Sequence, residues 1–580
     1  MPECHATICP RHPRSMRMPA VCAALLALGL LIGTFAAMAQ SRSERVSLAT
    51  LPTAERTRLE AGLKGELQRE LDRQTRLDGQ GPYIRVLSLR IEPLTGELVI
   101  DMSKSLLPLD ESYRDGNKYM GVDFQDQMQR FSSVLGRYVD GYKGGEYRYN
   151  GYILRIEGRD LLDYYPGDRQ EMEEVDRRIR ERGKRIKETE KDKQTSVAPG
   201  TAPAAAGLLV VTNPGHGYTR YYRVNGATFW ALQRPVGATV NGISEDFMTQ
   251  TYENSLANYL DLRTDATSIV STRSDSAQTH PPTGQPWWKV AARYHLEQIL
   301  PGEGSTIWDT RPNDTSKEQE EKEDINSRPY YANYLGADAM ISIHMNAAET
   351  TTARGGEVYY SSSQAGSQRL AHNLLCGMTE VVRAQEAYQD FPFHGQPIVG
   401  VHGEYRLADM PAALVEVAYK TNAADADALK DPAFREAAMK GVAKGYRIFH
   451  DGETCTPFKI TSIPDVTLQR PDSGVISVNF EGFPYFPVTM AIDNVVCPPD
   501  NTCTGGTIDF PEPQESPLYI LAECPGSSDT IDTSRWSTRL TDVDGVQADA
   551  VEHEVTCLPN AVGSANKAKP SIRVGPASRK

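Results

Sequence analysis

Between Leu208 and His450 short apolar runs alternate with amphipathic ones, and few folds accept that alternation. "GLLVVTN", "ATSIVSTR", "ADAMISIHMNA", "GGEVYYSS" and "PAALVEVAY" read as strands. "EDFMTQTYENSLANYLDL", "NSRPYYANYLG", "SQRLAHNLLCGMTEVVR" and "DPAFREAAMKGVAKGYRIFH" read as helices. Apolar strands separated by helices predict an α/β domain over 207–450, with a mostly parallel sheet flanked by helices. In such sheets, functional side chains gather at the carboxyl ends of the strands. His216 in "NPGHG", His344 in "SIHMNA" and Glu416 in "PAALVEVAY" fall at strand ends or inside apolar strands. A turn histidine or a satisfied core histidine is a plain reading for either His. Glu416 resists one, because an ionised carboxylate in an apolar strand is costly unless paired or functional.

Two imidazoles and a carboxylate are good zinc ligands, and a catalytic zinc site keeps a position open for water. The order PGHG, a Glu at a helix start, "SIHMNA" and "PAALVEVAY" is similar to that of the zinc-dependent N-acetylmuramoyl-L-alanine amidases of the amidase type 3 family. "RPYYANYLGADAMISIHMNA" resembles the family's Arg-x-x-x-Ala-Asn helix leading into its SIHAN strand, and "YRLADMPAALVEVAYKTNAADADAL" with "DPAF" resembles its C-terminal block. The resemblance implies one Zn2+ held by His216, His344 and a helix-start Glu, matched best by Glu245, with Glu253 as the fallback. It implies that Glu416 is the catalytic carboxylate, taking a proton from zinc-activated water and passing it to the leaving amine. The bond would join the lactyl group of N-acetylmuramic acid to L-alanine of the stem peptide in peptidoglycan. Arg406 stands where the family often has a basic residue, which implies a contact with substrate carboxylates.

This chain departs from the family in places. Asn213 replaces the usual Asp, which removes an acceptor for His216 and bears on zinc affinity. Tyr218 replaces the usual second Gly. The segments 218–242 and 276–325 are longer, and the first reads as a hairpin over the cleft. The run "SKEQEEKEDIN" reads as a solvated loop; the alternative is a lid or plug whose Glu, or His295, reaches the zinc.

The flanks read separately. Residues 47–165 predict an α+β accessory domain, with a hairpin from "YIRVLSLRIE" and "GELVIDMSKSLL", a helix at "DFQDQMQRFSSVLGRYV" and a closing hairpin at "YRYNGYILRIEG". "GELVIDMSKSL" is similar to part of the GerMN-type domain found beside bacterial cell-wall enzymes. No catalytic constellation is visible there. Residues 166–206 form a charged stretch, either a solvated helix or disordered, followed by a Pro/Ala-rich linker. Residues 456–560 predict a β-sandwich-like domain, and 561–580 a disordered tail.

Residues 1–39 have a basic lead, an apolar core and an Ala37-Met38-Ala39 end, the pattern of a secretory signal peptide. An uncleaved anchor is the alternative, since the apolar stretch is nearly long enough to span a bilayer. No later segment is apolar enough to span a membrane, so export to the periplasm or cell envelope is the expectation. Beyond the leader the cysteines are even in number, as disulfides in an exported chain require. Cys497 with Cys503 and Cys524 with Cys557 are the simplest bridges; a zinc knuckle is the rival, but no C-x-x-C spacing occurs. A net charge of -14 argues against a nucleic-acid partner. Peptidoglycan, and a cell-wall or division regulator protein, are the expected partners. The competing readings are an amidase-fold protein that binds peptidoglycan or a partner without cutting, and a zinc peptidase acting on another amide.

Overall fold

Leu59, Leu63, Leu67 and Leu71 recur at helical spacing, and all four are buried along α1 (Thr53–Arg73). The computed structural model describes residues 45–108, 119–196, 208–223, 225–234, 240–312, 318–560 and 569–575. The leader at 1–39 and the Pro/Ala-rich stretch after residue 196 lie outside them. In the N-terminal part a sheet of β1 (Val86–Ile91), β2 (Leu98–Met102), β3 (Tyr152–Ile156) and β4 (Arg159–Asp160) shares one apolar core with α1 and with α2 (Val122–Gly141). β1 and β2 form the expected antiparallel pair. "YRYNGYILRIEG" is not a hairpin: β3 pairs in parallel with β2. Leu154 and Ile156 thereby reach the core instead of folding back locally. The charged stretch is a helix, α3 (Pro166–Ser196), whose first turn buries Asp168.

The central sheet has six strands. In spatial order they are β8 (Ala266–Ser271), β5 (Leu208–Pro214), β9 (Ala339–Asn346), β12 (Ala412–Tyr419), β10 (Glu357–Tyr360) and β11 (Ile398–Val399). The first four run parallel, and β10 is antiparallel to β12. A hairpin, β6 (Tyr218–Tyr222) and β7 (Thr228–Leu232), follows β5, and two short helices, α5 (Ala292–Ile299) and α9 (Ala423–Lys430), lie in later connections. β9 and β12 are buried along their whole length, as central strands covered on both faces must be. Alternate residues divide between the faces. Val210, Ile341, Ile343 and Val415 meet α4 (Glu245–Arg263), α7 (Ser367–Arg383) and α10 (Pro432–His450). Val211, Met340 and Leu414 meet α6 (Gln319–Leu335) and the segment around α8 (Gly403–Arg406).

The C-terminal part holds two five-stranded sheets. Cys497–Cys503 and Cys524–Cys557 are disulfides, and a third joins Cys376 on α7 to Cys455. The sequence reading of 561–580 as a disordered tail fails in part. Ser571–Gly575 is a strand paired with Leu518–Glu523 and Thr502–Thr504, because Ile572 and Val574 fill the sandwich core.

Candidate active site

His344 and Glu416 lie directly opposite each other in the β9–β12 register, and Glu357 lies opposite Glu416 on the other side. His216 follows the end of β5 in a turn whose residues have steric reasons. A Cβ on Gly215 would sit 2.2 Å from the His344 ring. Gly217 has φ 133° and its backbone runs against Ala291. His216 itself sits at φ 64°, a left-handed conformation that costs roughly 1–2 kcal/mol in an L-residue. Buried Arg273 holds the turn by donating to the Gly215 carbonyl at 3.0 Å, and Thr249 donates to the same oxygen at 2.8 Å. The Pro-Gly turn is therefore a device that drives His216 against His344.

Glu245 opens α4 and projects into the same space. His216 Nε2 lies 3.0 Å from Glu245 Oε1, His344 Nδ1 lies 3.3 Å from that oxygen, and the two nitrogens are 3.2 Å apart. Three buried donors this close, two imidazoles and a carboxylate, match the ligand types of a tetrahedral zinc centre with bonds near 2.0–2.2 Å. Burial raises the Glu245 carboxyl, but Lys420 and His216 outweigh it and hold it well below the usual carboxylate range. Lys420 is ion-paired with its second oxygen. The fallback, Glu253, is absent from this cluster; it accepts from Thr212 Oγ1 and Gln250 Nε2. Glu416 is buried beside the cluster, and burial pushes its carboxyl up to about 8. One of its oxygens has no hydrogen-bond partner.

These groups line a cavity of about 130 Å³. Arg406 does not line it. Its guanidinium donates to Asp168 Oδ1 at 2.8 Å and to the Val401 carbonyl at 3.1 Å, so the substrate contact expected of it is replaced by a tie to α3. The cationic lining comes instead from Arg130, Arg234, Arg328 and Lys420.

The acidic run is not a solvated loop. From Gln319 onward it forms the start of α6, and Glu320, Glu321, Glu323 and Asp324 are buried. Glu320 accepts from Arg220, Tyr222 and Tyr294, and Glu321 from Arg234 and Tyr221. Those partners are carried mainly by the long hairpin segment, so the two insertions neutralise each other. Neither these acids nor His295 lines the cavity; the hairpin segment contributes Arg234.

The N-terminal part, read as chemically blank, supplies one wall. The apolar stripe of α2 faces its own core, and the opposite stripe recurs every fourth residue. Gln125 Oε1 accepts from Gly403 N at 2.8 Å, Gln129 Nε2 donates to Glu416 Oε1 at 2.8 Å, and Ser133 Oγ donates to Glu357 Oε1 at 2.8 Å. Arg137 donates to Glu357 Oε1 at 3.1 Å and to Tyr419 Oη at 2.6 Å. Asp126 pairs with Arg234 at 3.1 Å. The helical period of these polar residues was legible; the surface they meet was not.

Residues 287–447 match the family model described as N-acetylmuramoyl-L-alanine amidase. That segment contains His344 and Glu416, whereas His216 and Glu245 precede it. LytC of Bacillus subtilis, an N-acetylmuramoyl-L-alanine amidase, is 29% identical over 111 residues, 19% of this chain and 21% of that protein. The germination-specific N-acetylmuramoyl-L-alanine amidase of the same organism is 23% identical over 162 residues, 26% of this chain and 65% of its own length. The chain thus spans less than two thirds of either relative. Among solved structures, the catalytic domain of CwlV from Bacillus (Paenibacillus) polymyxa aligns at 20% identity and a TM-score of 0.27, covering 42% of this chain and 98% of that one. The apo form of Ami1 from Mycobacterium abscessus aligns at 18% identity and a TM-score of 0.29, covering 42% and 99%. No helix among the described residues is long and apolar enough to cross a membrane. The likeness to the N-acetylmuramoyl-L-alanine amidases thus lies in the α/β domain, where residues 287–447 match the family model.

Proposed function

We propose that the protein is an exported peptidoglycan hydrolase that cleaves the amide between N-acetylmuramic acid and L-alanine of the stem peptide. The observation that carries this reading is the convergence of His216 Nε2, Glu245 Oε1 and His344 Nδ1 beside the buried carboxylate of Glu416. His216, Glu245 and His344 would hold one Zn2+, which supplies Lewis acidity, polarising a carbonyl and acidifying water. Glu416 takes a proton from the attacking water as oxygen adds to the carbonyl carbon. It returns the proton to the nitrogen as the C–N bond breaks, leaving a lactyl carboxylate and a free L-alanine amine. A basic Glu416 must be ionised, and positive charge at the neighbouring cluster favours that form against the burial that opposes it.

One observation favours a second, non-cutting state. α2 covers the cleft with Asp126, Gln129 and Arg130, and about 130 Å³ is below the 300–1,000 Å³ of ordinary ligand sites. α2 thus restrains the entry of a muramyl peptide, and a regulator would be a protein that draws α2 away and raises the rate.

The test is digestion of purified peptidoglycan by the protein without residues 1–39, beside Glu416→Gln, with zinc content measured in both. The expected result is stem peptides bearing a free L-alanine amine from the parent, and a loss of about 10²–10⁴-fold in the variant with its zinc retained. Zinc in both and no cleavage by either, with α2 loosened as well, would leave the binding reading in its place.

A further inference from the structure

Behind the two histidines runs an unbroken chain of buried hydrogen bonds. His216 Nδ1 lies 3.1 Å from Gln233 Oε1, and Gln233 Nε2 donates to Asp324 Oδ2 at 2.6 Å. Arg328 Nη2 donates to that same Asp324 oxygen at 2.5 Å, and its Nη1 donates to Glu404 Oε2 at 2.7 Å. The Glu404 carboxylate closes the chain on His344 Nε2 at 3.0 and 3.1 Å. Asp324, Arg328 and Glu404 are fully buried, and Gln233 is 5% exposed. The four come from the segment after β7, from α6 at i and i+4, and from α8.

The chemistry of the chain fixes the protons. Gln233 has committed its amide nitrogen to the Asp324 carboxylate, so the atom facing His216 is an acceptor and His216 Nδ1 carries hydrogen. Glu404 only accepts, so His344 Nε2 carries hydrogen. With a metal bound, the two rings would thereby be opposite tautomers, His216 offering the lone pair of Nε2 and His344 that of Nδ1. Those are the two atoms that meet 3.2 Å apart beside Glu245. The departure at Asn213 belongs to the same arrangement. Asn213 accepts from Thr272 at 2.6 Å and donates to Glu404, so the carboxylate lacking at position 213 is supplied from α8.

We propose that Gln233, Asp324, Arg328 and Glu404 are positioning residues, a single relay that orients both histidines and sets the metal affinity of the site. The proposal rests on reading His216, Glu245 and His344 as metal ligands. Hydrogen-bond partners of ligating histidines are worth about 10–100-fold in metal affinity. Because the relay is continuous, breaking it at both ends should cost less than the product of the two single breaks.

The experiment measures zinc affinity by chelator competition on the full chain, for the parent, Gln233→Leu, Glu404→Gln and the double variant. Cobalt absorption spectra and metal-free melting curves accompany it. The expected result is a loss of about 10–100-fold in each single variant. The cobalt bands should shift, metal-free melting in Gln233→Leu should fall by only the few degrees that the loss of one buried hydrogen-bond donor costs, and the double loss should be smaller than the product. If Glu404→Gln does not fold, Gln233→Leu decides alone. Unchanged affinity and spectrum in Gln233→Leu, or losses that multiply in the double variant, overturn the relay. A parent that binds no zinc overturns the metal reading itself. A parent that binds zinc in the expected pattern but never cleaves peptidoglycan overturns the amidase reading and leaves the relay standing.

Discussion

Gly215 is the residue at which sequence motif and atomic packing meet most directly. Its missing side chain is the space that the His344 imidazole occupies. Gly215→Ala should displace that ring, weaken zinc binding measured by chelator competition, and lower stability by roughly 1–3 kcal/mol in thermal melting. His402 makes a pH prediction. Burial lowers its imidazole to about 4, despite the nearby Glu404 and Asp126 carboxylates. Below about 6.5 the unfolded chain binds a proton there that the folded chain refuses until about 4, so stability falls as pH drops through that window. The loss should approach about 3 kcal/mol, the equivalent of that shift. Denaturant titrations between pH 7 and 4 should show this fall, and His402→Asn, which keeps an acceptor at the start of α8, should flatten it.

At the scale of elements, the acidic start of α6 shows how local composition misleads. Four acids within "EEKED" describe a solvated loop to any reader of hydropathy. The burial of Glu320 and Glu321 depends on Arg220, Arg234, Tyr221, Tyr222 and Tyr294, which lie outside the run itself. An unpaired buried carboxylate is costly, whereas one with several donors is not. Tyr294→Phe removes one donor to Glu320 and leaves the ring packed on Trp230. It should cost about 1–2 kcal/mol in chemical denaturation. The Cys376–Cys455 disulfide belongs to this scale too. It ties α7 to the chain beyond α10 across a separation of 79 residues. Replacing both cysteines with serine should lower stability by about 2–5 kcal/mol.

At the scale of the molecule, α2 matters most, because one helix serves two cores. Its apolar stripe completes the N-terminal core, and its polar stripe closes the cleft of the α/β domain. Arg137→Glu would set a second carboxylate against buried Glu357. Like charges at that contact should loosen α2 while leaving the cluster of His216, Glu245, His344 and Glu416 in place. The expected outcome is peptidoglycan release by the full chain raised roughly tenfold or more, the equivalent of about 1.4 kcal/mol, with faster proteolysis near α2. Unchanged or lower release with intact zinc binding would show that α2 does not restrain the site.

The strands of the α/β domain were legible in the sequence, as were two histidines and a glutamate at strand ends or within apolar strands, and a glutamate at the start of α4. Each rests on a local signal: apolar runs, a Pro-Gly turn, a carboxylate where burial is costly. Arg406 was misassigned because its partner Asp168 lies on a helix more than two hundred residues earlier. Gln129, Gln233 and Glu404 carry no local signal at all, since a polar glutamine or glutamate has no role until something is placed against it. What the sequence by itself determined was the sheet and the identity of the residues at its strand ends, because side-chain periodicity and burial cost act within a few residues. Which groups stand behind those histidines, and which helix lies over the cleft, only the tertiary structure decided, because hydrogen bonds and ion pairs are satisfied by whatever the folded chain brings within about 3 Å.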